Sequence, residues 1–174
     1  MLMNNRLPAA LGVPLLLCLP VNIYAFGGLI CAGVQFPLFR VQYSSLGWSF
    51  ITIVREFEYL TGGVVGGKAV PFTLVWGIAV LLMGGSVLSM LSWYRTGAAR
   101  QKNTGGICLA GSAACMLIAT MIYYGPAFCG ATGFAVPVGI PLLFAVAWLL
   151  WVKKENEDID VHRRGEDAGD GQSR

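Results

Sequence analysis

Four apolar runs without a charged side chain divide the chain, at residues 7–34, 70–93, 105–124 and 131–152. A helix rises about 1.5 Å per residue, so roughly 20 apolar residues cross a hydrocarbon core. The pattern therefore predicts an all-α integral membrane protein, a bundle of four transmembrane helices over residues 1–152. Residues 35–69 form an outer loop within it, and the charged residues 153–174 form a disordered cytoplasmic tail.

The first run has two interpretations. Arg6, the apolar stretch after it and Ile23-Tyr24-Ala25 are arranged like a secretory signal and its cleavage site. The apolar run continues for nine residues beyond Ala25, which favours a membrane span. Its prolines predict a bent or tilted helix, because proline removes a backbone hydrogen bond.

Small residues recur at helical spacing in the second and third runs. Such rows let helix backbones approach closely in a membrane. The spacing predicts helix packing through these positions, with the third run as the central helix: Gly77, Gly84, Gly85, Gly106, Ala110, Gly111 and Ala114.

The fourth run is interrupted in its first half by Pro137, Gly139 and Pro141. We expect a distorted or unwound start before a regular helix over residues 142–151. Broken membrane helices sometimes line binding cavities, because freed carbonyls need protein or water partners. The alternative is a kink that neighbouring helices relieve.

The outer loop is mixed in character. Residues 51–54 are β-branched and favour a strand, whereas Trp48, Ile51 and Phe57 recur at helical spacing. The second pattern predicts a short amphipathic helix on the membrane surface. The exposed residues expected to contact a partner are Trp48, Arg55, Glu56, Phe57 and Glu58.

Charge sets the predicted orientation. Near span ends, six Lys and Arg lie on the side of the termini and three lie on the other side. Positive charge concentrates in the cytoplasm, so both termini are predicted there. Residues 1–152 carry a balance of +5 and residues 153–174 one of −2. The overall +3 therefore does not indicate nucleic-acid binding.

Candidate chemistry is sparse. Gly62, Gly67 and Lys68 match the spacing of a phosphate-binding loop, but Ala69 replaces the Ser or Thr that would hold Mg²⁺. The single histidine, His162, lies in the tail, and no Asp or Glu interrupts the four runs. We therefore expect no nucleotide, no metal, no cofactor and no intramembrane proton relay.

The five cysteines contain no CxxC pair. Cys31 and Cys129 fall near the outer ends of their predicted spans, so an oxidising compartment could join them. The alternative is that both are free, because buried cysteine is a common small hydrophobe.

Four spans, cytoplasmic termini and a long first outer loop resemble the layout of the claudin and tetraspan families of cell-contact proteins. Gly47-Trp48 stands where claudins carry a Gly-Leu-Trp motif, but the paired loop cysteines that follow in claudins are missing. Size and span count also resemble the disulfide-oxidising membrane proteins of the DsbB type, whose outer cysteine pairs are absent here. The resemblance is one of layout and assigns no family.

The sequence thus favours a non-enzymatic membrane protein that acts as an interaction or scaffold subunit. Its expected partners are the lipid bilayer and either copies of itself or a larger membrane complex. The alternatives are a small transporter or lipid-handling protein that uses the broken fourth helix, and a lipid-acting enzyme that uses Arg55, Glu56 and Glu58.

Overall fold

The computed structural model describes residues 12–27, 30–131 and 133–151. A helical turn that ends in Leu16–Cys18 comes first. The strands are β1 Asn22–Phe26, β2 Cys31–Gln35, β3 Phe39–Ser44, β4 Gly47–Thr52, β5 Cys129–Gly130 and β6 Gly133–Val136. The helices that follow the turn are α1 Ile53–Thr61, α2 Ala69–Thr96, α3 Ala99–Tyr124 and α4 Ile140–Trp151.

The strands form one antiparallel sheet in the order β4-β3-β2-β1-β6-β5. The first four strands are sequential neighbours, and the hairpin after α3 adds β6 against β1. Tyr24 in β1 is opposite Gly33 in β2 and Ala135 in β6. A Cβ atom at Gly33 would lie 2.6 Å from the Tyr24 hydroxyl, so only glycine fits beneath this ring.

The prediction of an all-helical four-span bundle is therefore wrong. Residues 22–26, 31–35 and 133–136, which belong to the first and fourth apolar runs or border them, are strands of the sheet. The helical turn stops before Pro20, and the proposed cleavage site at residues 23–25 lies within β1, which pairs on both sides. Short apolar strands and apolar helices look alike when both sides of the strand carry large or apolar residues.

Two helices, α2 and α3, are long and apolar enough to cross a membrane. They contain the predicted spans 70–93 and 105–124. Gly97 ends α2 in the left-handed conformation (φ 72°), which suits glycine at a helix C-terminus and turns the chain back into α3. The two helices are consequently antiparallel neighbours.

The α2–α3 contact uses small polar residues as well as apolar ones. Ser86 donates a hydrogen bond of 2.8 Å to the carbonyl of Gly105, and Ser112 donates one of 2.8 Å to the carbonyl of Ala79. A fully buried core lies between these bonds and extends beyond them in both directions. Its largest members on the two helices are Trp76, Met83, Met90, Leu109 and Met116.

The helical turn and α4 complete this core with Val13, Leu16, Ile140 and Leu143. The Pro/Gly-rich start of the predicted fourth span is β6 followed by a short connection. Gly139 donates its backbone N–H to the carbonyl of Val21 at 3.0 Å, and a Cβ atom there would collide with the carbonyl of Pro20. The break therefore lets the chain pass closely by the start of β1.

The loop prediction for residues 44–60 is corrected in a similar way. Residues 47–52 form strand β4, and the helix begins only at Ile53. Thr52 caps that helix, since its hydroxyl accepts a hydrogen bond from the N–H of Arg55 at 3.3 Å. The predicted tail, residues 153–174, lies outside the described residues.

Candidate interaction surface

The two faces of the sheet have an unusual polarity. The inner face, which packs on the helices, carries Asn22, Tyr24, Gln35 and Arg40. An antiparallel sheet with one solvated face normally places apolar side chains inward and polar ones outward. Here the exposed side is the apolar one, so the sheet is polar where it is covered and apolar where it is open.

Hydrogen bonds satisfy part of the inner face. Asn22 donates from Nδ2 to the Thr120 hydroxyl of α3 at 2.9 Å, and Tyr24 donates its hydroxyl to Oε1 of Gln42 at 3.1 Å. Burial raises the pKa of Tyr24 to about 12, against an opposing effect of Arg40. Tyr24 therefore remains a neutral donor at physiological pH. Its bond joins β1 to β3 within the sheet, whereas the Asn22–Thr120 bond joins the sheet to α3.

An ion pair joins the sheet to α1. The Nε atom of Arg40 lies 3.0 Å from Oε1 of Glu56, whose side chain is almost fully buried. Burial raises the pKa of Glu56, while Arg40 acts in the opposite direction. Within the described residues, Oε2 of Glu56 has no hydrogen-bond partner. The pair holds α1 under the sheet at a cost in desolvation.

The outer apolar face is defined by exposed side chains on four strands. Trp48 is 76% exposed and Phe50 is 62% exposed, both on β4. Tyr43 lies 5.3 Å from Trp48 between ring centroids, so the aromatic rings form a contiguous surface. The full set is Ile23, Tyr43, Trp48, Phe50, Phe134 and Val136.

A groove of about 520 Å³ runs along β4 and reaches Gln42 and Ser44 of β3, whose side chains lie on the inner face. Strand residues line one side of the groove, and Arg55 and Tyr59 of α1 line the other. Arg55 donates from Nε to the Tyr59 hydroxyl at 3.2 Å. The groove thus combines an uncovered strand edge, aromatic rings and one guanidinium group.

The predicted partner contacts divide into two groups. Trp48, Arg55 and Glu58 are exposed, as a contact surface requires. Glu56 is instead buried against Arg40, and Phe57 packs on α2, where a Cβ atom at Gly77 would lie 2.6 Å from its ring. Glu56 and Phe57 therefore help to fix the position of α1, and their contact with a partner stays a prediction.

The sequence does not place Phe50, Tyr59 or the strand edge in the predicted partner contact. The signal for Phe50 is a period of two residues: Trp48, Phe50 and Thr52 alternate with less exposed residues, as in a strand. Helical spacing between Trp48 and Ile51 competed with it. No local signal shows that β4 ends the sheet, because strand order depends on distant pairings.

The predicted helix-packing residues do not share one interface. Gly85 lies near Cys108 of α3, and Gly84 has open space where a side chain would be. Residues of the third run instead line a second groove, of about 490 Å³, between α3 and α4. It is formed by Gly106, Ile107, Ala110, Gly111, Ala114, Phe144, Ala147, Trp148 and Trp151.

Pro137, Gly139 and Pro141 do not line this groove. Gly139 packs closely against the backbone of Pro20 and Val21. A cavity formed by Pro137, Gly139 and Pro141 stays a prediction. The apolar groove lies further along α4, where the helix is regular.

The possible disulfide between Cys31 and Cys129 is absent from the structure. Cys31 in β2 and Cys129 in β5 are both free. Strands β1 and β6 lie between β2 and β5 in the sheet. Three strand spacings amount to about 14 Å, beyond the roughly 7 Å that a disulfide allows between Cα atoms. Burial raises the pKa of Cys31, which disfavours the reactive thiolate.

Metal and nucleotide chemistry find no support in the described part of the chain. Across residues 12–27, 30–131 and 133–151, no three His, Cys, Asp or Glu side chains are grouped as metal ligands. Gly67 and Lys68 form a turn directly before α2, and no strand leads into it as in a phosphate-binding loop.

No protein-family model matches the chain, and no curated protein is significantly similar to it.

Proposed function

We propose that this protein is a non-enzymatic membrane scaffold or interaction subunit whose outer apolar face binds a partner protein. The observation that carries the proposal is the reversed polarity of the sheet. Exposed contiguous apolar patches on soluble surfaces mark interaction sites. Aromatic residues such as Trp48 and Phe50 are enriched at the centres of such interfaces.

The hairpin α2–α3 anchors the protein in the bilayer in this proposal. Large apolar side chains point away from the packed core along α2, at Leu74, Ile78, Leu81 and Leu88. A helix that is apolar on all sides belongs in a core or a membrane. The sheet then lies outside the cytoplasm, and the α2–α3 turn with Arg95, Arg100 and Lys102 lies on the cytoplasmic side, as the charge distribution favours.

A lipid-handling role is the second candidate, and the groove between α3 and α4 favours it. Small residues form its floor, and Phe144, Trp148 and Trp151 border it. An acyl chain suits such an apolar groove. This candidate needs a bound lipid, whereas the first needs a bound protein.

One experiment separates the two candidates. The protein is extracted from its native membrane in mild detergent, and the mass of the intact assembly is measured together with everything bound to it. We expect a defined protein assembly from the wild type. The double variant Trp48→Ser, Phe50→Ser should dissociate it by more than about tenfold, because interface aromatics commonly contribute 2 kcal/mol or more.

Val64→Ser is the matched control, since Val64 is an exposed apolar residue in the loop after α1, outside the outer apolar face. It should leave the assembly intact. A wild-type chain that is alone and carries a reproducible lipid would reject the scaffold role and support the groove. Equal dissociation of both variants would show that the face has no specific role.

A further inference from the structure

The two edges of the sheet differ in length. At one end β5 contains only Cys129–Gly130, whereas at the other end β4 runs over six residues, Gly47–Thr52. Long uncovered edges template pairing with another chain, and proteins usually protect them with Lys, Pro or bulges. The β4 segment Gly-Trp-Ser-Phe-Ile-Thr has neither Lys nor Pro and pairs with β3 without interruption.

The direction of the free backbone groups follows from the pairing with β3. Ile53 donates its N–H to the carbonyl of Leu38 at 2.8 Å, which makes this a hydrogen-bonded pair. Antiparallel ladders alternate, so Ile51 with Arg40 and Ser49 with Gln42 are the next bonded pairs. The backbone groups of Trp48, Phe50 and Thr52 therefore point away from the sheet.

The outer side of β4 pairs with no strand, because β4 ends the strand order of the sheet. The groove of about 520 Å³ begins at β4 and extends beneath the sheet to Gln42 and Ser44, with Arg55 and Tyr59 of α1 on its other side. A neighbouring strand lies about 4.8 Å away in a sheet. A second strand at this distance from β4 would continue the outer apolar face with its alternate side chains.

We propose that the β4 edge binds β4 of a second copy of this chain, antiparallel, about a two-fold axis through Phe50. This inference rests on the proposed function and deepens it, because it names the partner and the register. Phe50 then opposes Phe50 of the second copy, and Trp48 opposes Thr52 of the second copy. Each of these is a hydrogen-bonded pair by position, and the free N–H and C=O groups of Phe50 and Trp48 find partners, whereas the carbonyl of Thr52 already accepts the first hydrogen bond of α1.

Self-pairing fits the chemistry of this edge. The strand has no charge, so two copies meet without like-charge repulsion, and aromatic cross-strand pairs add stability. The exposed charges of α1 include both signs, Arg55 and Glu58. A two-fold contact uses the same patch on both copies, removes both free edges and joins the two outer apolar faces into one.

Disulfide trapping in the native membrane tests the register. Phe50→Cys should link to itself under mild oxidation, because Cα atoms of an opposed pair lie within the range that a disulfide needs. A mixture of Trp48→Cys and Thr52→Cys chains should also link, which keeps Phe50 in place. The linked peptides are identified by mass spectrometry. Wild-type protein is the control for any linkage through the native cysteines.

Tyr43→Cys is the matched control. Tyr43 is an exposed aromatic residue on the same face but on β3, so two copies would hold it about three strand spacings apart. We expect at least about tenfold more linked dimer from Phe50→Cys than from Tyr43→Cys, because only the former satisfies the disulfide distance.

The outcomes separate this inference from the proposed function. An assembly that depends on Trp48 and Phe50 but gives no linkage at Phe50, or between Trp48 and Thr52, overturns strand pairing and leaves the scaffold role standing. Linkage of Phe50→Cys to a different protein also overturns the second copy as occupant. The absence of any protein assembly removes both proposals.

Discussion

At the scale of single residues, the covered face of the sheet shows why its position on the helices is specific. Asn22 bonds to Thr120 on α3, and Arg40 pairs with Glu56 on α1. Removing one partner of a buried polar pair leaves the other without a hydrogen bond. The free-energy cost of that unsatisfied group exceeds the net contribution of the bond to stability. These contacts therefore select one arrangement of sheet, α1 and α3.

The buried carboxyl group of Glu56 makes stability depend on pH. Because burial raises its pKa above the ordinary value of 4.5, the folded protein retains a proton that the unfolded chain has already released above that pH. The free energy of unfolding should therefore fall as the pH rises from 4.5 through the raised pKa. Glu56→Gln should lack this fall in thermal unfolding followed by circular dichroism.

Glu58→Gln is the control for this titration, since Glu58 lies on the same helix but is exposed. It should keep the pH dependence of the wild type. Identical curves for wild type and Glu56→Gln would show that the Glu56 carboxyl group does not contribute to this dependence.

At the scale of elements, the apolar pattern predicted two helices well and two poorly. α2 is continuous and apolar on all sides, and so is α3 from Gly105 onward, so their length alone separates them from strands. In residues 22–26, the inward Asn22 and Tyr24 alternate with the outward Ile23 and Ala25. The outward residues are apolar and the inward Tyr24 has a large ring, so the sequence does not show the usual alternation of apolar inward and polar outward residues. The strand period is therefore concealed, and the apolar pattern predicts a helix over this run.

The candidate site was predictable only in part for a related reason. Trp48 and Arg55 were recognised as exposed, because aromatic and charged residues in an outer loop suggest contact. The burial of Glu56 depends on Arg40, which is sixteen positions away and reaches it only through the β3–β4 hairpin. The free edge depends on the order of all six strands, and a local pattern does not contain it.

Two glycines on α2 test how α1 is attached to the helices. Phe57 packs directly on Gly77, whereas Gly84 faces open space. Gly77→Ala should destabilise the protein by about 1–3 kcal/mol, because the added methyl group forces the ring of Phe57 to move. Gly84→Ala should change stability by no more than about 1 kcal/mol, and in the favourable direction expected from helix propensity.

Chemical denaturation in detergent measures both changes. A loss at Gly77→Ala should be accompanied by faster proteolysis within α1, since its contact with α2 is weakened. Equal effects of the two substitutions would mean that the Phe57–Gly77 contact does not hold α1 in place.

At the scale of the whole molecule, the sheet and the α2–α3 turn lie at opposite ends of the helical hairpin. β4 and α1 precede the start of α2, and β5 follows the end of α3, so both connections reach the sheet from the same end. The 26 residues of α3 extend about 39 Å, enough to cross a bilayer core. A membrane around the hairpin would therefore place the sheet and the turn at Gly97 in different compartments.

This separation predicts opposite labelling of two positions in intact cells. Leu46→Cys lies in the β3–β4 turn at a residue that is 98% exposed, and it should react with a membrane-impermeant maleimide from outside. Arg100→Cys, exposed near the start of α3, should react only after the membrane is opened. Wild-type protein is the control, because its exposed Cys18 and Cys129 can also be labelled. A maleimide that adds a known mass shows whether each variant carries one more label than the wild type. Labelling of both positions from outside would exclude a spanning hairpin, and the reverse order would invert the orientation that the charge distribution favours.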